Sequence, residues 1–120
     1  MGEATLAQPA PWQGARAGAA GRGSVRTYRT ARRVAVDVSL VSRGDAQPWT
    51  AVGAMLRGKA NEELKVLRVW QSGPVAAGSA VQRVVVEAEA ATEAPLGSFT
   101  LKLWDADMRR TVTLGNITFP

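Results

Sequence analysis

The sequence predicts an all-β protein: an antiparallel β-sandwich of immunoglobulin-like type, with six to seven strands, behind a disordered N-terminal arm. Three observations predict it. Apolar and polar residues alternate with period two through much of residues 25–120. Breaks rich in Gly, Pro, Asn, Asp and Ser separate these runs at fairly regular spacing. No segment sustains the i, i+3, i+4 apolar repeat of a helix, and only residues 58–67 and 88–94 have room for a short one.

The elements follow in order. Residues 26–42 carry Tyr28, Val34, Val36, Val38 and Leu40 on one parity, with Thr27, Arg29, Arg33, Asp37 and Ser39 on the other. That pattern predicts one half-buried strand or a bent pair. Residues 42–45 supply turn chemistry. Pro48 starts a strand over residues 49–56, and residues 58–61 are a polar break. Residues 64–71 follow, with Leu67, Val69 and Trp70 as bulky members, and Ser72, Gly73 and Pro74 interrupt them. Residues 81–89 are rich in Val, and residues 94–97 are another turn. In residues 99–104, Phe99, Leu101 and Leu103 share one face and Thr100 and Lys102 the other. A hairpin loop over 105–109 leads to a last strand over 111–119, broken or bulged at Gly115 and Asn116. The inward faces predicted from this are Val36, Val38 and Leu40 against Phe99, Leu101 and Leu103.

The chain is 120 residues long and 46% hydrophobic, which suits one domain with one core. Its net charge of +5 resides in the first 33 residues, where Arg16, Arg22, Arg26, Arg29, Arg32 and Arg33 face Glu3 alone. The remainder balances nine basic against nine acidic side chains. The division expected is therefore a disordered arm over 1–24, rich in Arg, Gly, Ala and Pro, and a sandwich over 25–120. The arm has no apolar run of signal-peptide type, and no stretch approaches the length of a membrane-spanning helix.

With no His and no Cys, the chain has no thiolate nucleophile, imidazole base, disulfide or thiolate metal site. No Ser, Thr, Lys or carboxylate stands in a recognisable catalytic motif, so the protein is expected not to be an enzyme and to need no cofactor.

Several stretches carry a resemblance. PWTAVGAML, EELKVLRVWQSGPVAAGS, VVVEAEA, SFTLKLWDAD and TVTLGNITFP, across residues 26–120, resemble the C-terminal part of a myxobacterial paralogous family of unknown function. Trp70-Gln71 ahead of Pro74, the run from Leu101 to Asp105, and the ending from Asn116 to Pro120 are its most specific pieces. The resemblance implies an exported or cell-envelope setting and longer relatives with an export signal. On that basis the chain is expected to be a truncated product or a short paralogue. No functional residues transfer.

The candidate sites are few. Arg16, Arg22, Arg26 and Arg29 form a possible anion-binding arm, with Trp12 and Tyr28 for base stacking; its alternative is a translated upstream stretch of a high-GC genome. Trp49 and Trp104 are candidates for an exposed aromatic platform for sugars or Pro-rich peptides, whereas Trp70 is expected in the core. Asp105 and Asp107 have calcium-loop spacing but lack further ligands and precede Arg109 and Arg110, so a hairpin turn with local ion pairing is expected. Glu87 and Glu89 should meet basic residues on a neighbouring strand, with Glu93 nearby. The glycines at 14, 18, 21 and 23 fit no phosphate-binding spacing. Asn116-Ile117-Thr118 fits a glycosylation sequon in a bacterial-looking context. The reading that follows is a non-enzymatic β-sandwich module for protein interaction or accessory envelope duty. The alternative is weak, sequence-independent binding of nucleic acid or acidic surfaces through the arm.

Overall fold

A computed structural model describes residues 24–41, 48–76, 81–90, 96–108 and 110–120. Residues 1–23 of the expected arm, with Arg16 and Arg22, lie outside these residues, and so do the turn at 42–45 and Glu93. Among the described residues there are eight strands: β1 (Val25–Arg29), β2 (Arg33–Leu40), β3 (Gly53–Gly58), β4 (Glu63–Leu64), β5 (Val66–Gln71), β6 (Gln82–Glu89), β7 (Phe99–Trp104) and β8 (Thr111–Ile117). They form two antiparallel four-stranded sheets, β1-β2-β6-β5 and β4-β3-β7-β8. Among the described residues there is no helix, and thus none long and apolar enough to cross a membrane.

The strand count exceeds six or seven for two local reasons. First, residues 26–42 are two strands. Thr30 N–H donates to the Arg33 carbonyl at 2.8 Å, and Arg33 N–H donates to Thr30 Oγ1 at 3.1 Å, closing a tight turn. The turn resets the phase: Tyr28 pairs with Ala35 and stands 50% exposed, whereas Val34, Val36, Val38 and Leu40 are buried. Tyr28 therefore does not share the inward face of the valines. Second, Gly58 N–H donates to the Glu62 carbonyl at 2.8 Å, and Asn61 has a φ of 71°, so residues 58–62 form a turn. The two-residue β4 follows it and pairs with Leu56 and Arg57.

The core lies between the sheets. In the β2–β6 ladder, Val36 faces Val86 and Val38 faces Val84, all four fully buried. Phe99, Leu101 and Leu103 of β7 supply the other layer, with Leu56, Val112 and Leu114, while Thr100 and Lys102 are exposed. The parity expected for β2 and β7 is the one observed. Burial of such side chains contributes about 1.5–3 kcal/mol each.

Two bulges adjust the faces. In β8 the pairing shifts between Phe99–Ile117 and Leu101–Leu114, so one extra residue is accommodated beside Asn116, whose φ is 58°. This is the irregularity expected at Gly115 and Asn116. In β5 the register shifts between Val66 and Arg68. That extra residue, Leu67, turns Val69 and Gln71 inward and Trp70 outward. Trp70 is thus 45% exposed rather than a core residue.

Trp49 takes the core position instead. It lies ahead of β3 and forms an isolated bridge with Val75. Its indole Nε1 donates to the Arg110 carbonyl at 3.1 Å, and no part of the side chain is exposed. Inward-facing Gln71 ties down the same region: its amide nitrogen donates to the carbonyls of Trp49 (3.2 Å) and Gly73 (2.8 Å), and its oxygen accepts from Ala51 N–H (2.8 Å).

Candidate functional site

The outward residues of β1, β2, β6 and β5 form rows across the sheet, because cross-strand partners point to the same side. One row runs Arg26, Asp37, Val85, Trp70, and the next runs Tyr28, Ala35, Glu87, Arg68. Tyr28 and Trp70 are its exposed rings, on opposite outer strands, and the short side chains of Ala35 and Val85 lie between them.

One guanidinium is fixed in this surface. Arg83 donates to Asp37 through Nε (3.2 Å to Oδ1) and Nη2 (2.6 Å to Oδ2). The two bonds form a planar fork that suits a carboxylate. They push the Arg83 pKa up, first through hydrogen bonding and then through the Asp37 charge, with a minor contribution from Tyr28. Arg83 is therefore a permanent cation with its orientation held by Asp37. Neither Arg26 nor Arg68 makes an ion pair among the described residues.

Tyr28 divides the surface into two depressions. The larger, about 330 Å³, is lined by Ser24, Arg26, Tyr28, Asp37, Ser39 and Arg83 and is mainly polar. The smaller, about 140 Å³, lies over Ala35 and is lined by Tyr28, Thr30, Arg33 and Glu87 among others; it is mainly apolar. One phenol ring thus borders both a charged hollow and a greasy one. The other sheet carries a depression of about 280 Å³ over Met55, Arg57, Thr100, Lys102 and Thr113, with no aromatic ring in its lining.

The residues singled out in the sequence fall as follows. Arg26 is exposed on β1 within the larger depression, and Arg29 is half-buried at the end of the same strand. The proposed platform of Trp49 and Trp104 does not form: Trp49 is wholly buried, and Trp104 is half-buried against Gly53, where even a methyl group would collide with its indole ring. Asp105 pairs with Arg110 at 3.8 Å, and Met108 N–H closes the turn onto the Asp105 carbonyl at 3.0 Å. Among the described residues, no three His, Cys, Asp or Glu side chains converge as metal ligands. Glu87 meets Arg33 across the β2–β6 ladder at 3.8 Å, the cross-strand pairing expected of it.

Trp70 and the Asp37–Arg83 pair are the features that sequence reasoning placed elsewhere or passed over; Tyr28 was named for base stacking but set on the parity of the buried valines. Asp37 did carry a signal: it is the one carboxylate among the valines of β2, on the outward parity. Trp70 carried none, because the bulge that exposes it has no glycine or proline to announce it.

A family model described as a protein of unknown function (DUF2381) matches residues 4–117. The match begins well ahead of residue 26, where the resemblance drawn from the sequence begins, and takes in most of the segment read as an arm. No curated protein and no solved structure matches the chain.

Proposed function

Because the chain belongs to the DUF2381 family, whose function is unknown, we propose that it is a non-enzymatic β-sandwich module that binds a partner through the outer face of the β1-β2-β6-β5 sheet. The carrying observation is that Tyr28 and Trp70 stand about half exposed on this one face, among arginines. Large rings left in water on a shared surface favour association, because a partner can bury them while polar neighbours fix its orientation. The lack of His and Cys supports the non-enzymatic part of the reading. The strand order supports an immunoglobulin-like assignment: β1-β2-β6-β5 over β3-β7-β8 follows the A-B-E-D over C-F-G arrangement, with the short β4 added beside β3. The sequence resemblance adds the setting, an exported or envelope-associated paralogue of myxobacterial type.

Side-chain footprinting with hydroxyl radicals tests the face. The chain is labelled alone and in a native envelope extract. Labelling at Tyr28 and Trp70 is expected to fall in the extract, while Met108, 67% exposed and away from this sheet, stays unchanged. Protection confined to β7 and β8, or none at all, would overturn the assignment.

A further inference from the structure

We propose that the β1-β2-β6-β5 face binds an anionic polysaccharide, a chain of sugar rings carrying carboxylates at intervals, laid across the strands from Tyr28 to Trp70. The proposal rests on the preceding assignment of this face as the binding surface and names its ligand.

Ring placement comes first. Tyr28 and Trp70 belong to the two outer strands of the sheet, three inter-strand spacings apart. At about 4.8 Å per spacing the two strands are about 14 Å apart, and the one-row offset of about 7 Å along the strands puts the two backbones about 16 Å apart. The floor between them is low, formed by Ala35 and Val85. A chain of pyranose rings can reach both aromatics at once, each aromatic covering the apolar C–H face of one sugar. A peptide added to the sheet would run along an edge strand and bond to its backbone. It would leave one of the two rings unused.

The charges choose among chain polymers. Arg26, Arg33, Arg68 and Arg83 share the face with Asp37, Glu87 and Glu89; Arg83 is already held by Asp37, and Arg33 by Glu87. That leaves a small positive excess in a mixed surface. A nucleic acid would bring one phosphate per nucleotide, and its phosphates would have to avoid three carboxylates. A polysaccharide with spaced carboxylates meets the mixture in kind. Its acid groups find the forked donors of Arg26 and Arg68, and its hydroxyls donate to Asp37 and Glu87. The depression on the opposite sheet has Arg57 and Lys102 but no ring, and so serves as the internal control.

The test uses the full chain over immobilised hyaluronate, whose carboxylates stand on every second ring, at about 0.15 M salt, with dextran, poly-L-glutamate and polyuridylate at matched density. The quantity compared is the binding lost on Tyr28→Ala plus Trp70→Ala, which subtracts retention through the arginines of residues 1–33. For hyaluronate this loss is expected to be tenfold or more, while Lys102→Ala leaves binding unchanged. Both substituted rings are exposed, and urea melts confirm that the variants fold. An equal ring-dependent loss on poly-L-glutamate or polyuridylate would show that the face does not select sugar rings and overturn the proposal, as would an equal loss on dextran. Absence of hyaluronate binding overturns it as well. If Tyr28 and Trp70 are nonetheless protected in the footprint, the face stands and only the ligand fails; if they are not, both fail.

Discussion

Trp49 and Arg110 hold each other across 61 residues of sequence. The Trp49 indole donates to the Arg110 carbonyl at 3.1 Å, and the Arg110 guanidinium donates to the Pro48 carbonyl at 2.9 Å. This reciprocal clasp joins the segment ahead of β3 to the start of β8, and Asp105 steadies it at 3.8 Å from Arg110. It makes Trp49 a structural residue with a full set of partners.

Trp49→Phe should therefore cost about 1–3 kcal/mol, through the lost donor and the smaller ring. Trp49→Ala should cost about 3–5 kcal/mol. Urea melts of both variants check this. A Trp49→Phe variant as stable as the parent chain would show that the indole bond contributes nothing.

The inward parity of β7 makes a second prediction. Leu101→Ala should leave a cavity and cost about 2–5 kcal/mol. Thr100→Ala and Lys102→Ala, on the solvent side, should each cost under about 0.5 kcal/mol. The three variants unfolded side by side decide the register of the strand, since a slip by one residue would exchange the two results.

How far these faces were readable from the sequence depended on whether the period-two phase survived. In β2 and β7 it runs unbroken, so Val36, Val38, Leu40, Phe99, Leu101 and Leu103 could be placed inward from alternation alone. At residues 30–32 a hairpin resets it, and Tyr28 ends on the other face. At Leu67 a bulge resets it again, and Trp70 follows. A single inserted residue inverts every assignment after it, and neither insertion is flagged by glycine or proline. The face proposed for binding was hidden for that reason: both Tyr28 and Trp70 sit next to a phase change. The bulge in β8 was legible because Gly115 and Asn116 announce it. Sheet order was not legible, since alternation says which way a residue points and nothing about which strand lies beside it.

Gly53 gives a third prediction. A Cβ there would overlap the Trp104 indole, so Gly53→Ala must displace the ring or the strand. The expected cost is about 1–3 kcal/mol, with a shift in tryptophan emission. Gly115→Ala meets nothing within 4 Å and should be close to neutral. Equal stability of the two variants would mean that the indole swings away freely.

Asn116 gives a fourth. Its φ of 58° lies in the left-handed region that Gly and Asn tolerate and β-branched residues do not. Asn116→Gly should be accepted, and Asn116→Val should cost about 1–3 kcal/mol. Thermal unfolding of the pair reads the difference. If valine proves harmless, the bulge has rearranged around it.

The Trp49–Arg110 clasp also bears on time. Its two ends come together only after a 61-residue loop has closed, and the central β2–β6 ladder likewise joins distant parts of the chain. The entropy of such closures must be met before the ladder returns any stabilisation. Refolding should accordingly take roughly milliseconds to seconds, the range of non-local β-proteins, rather than microseconds. During that interval the valine faces of β2 and β6 remain uncovered. The rate at which a newly made chain hides them, more than its final stability, then sets how much of it escapes aggregation.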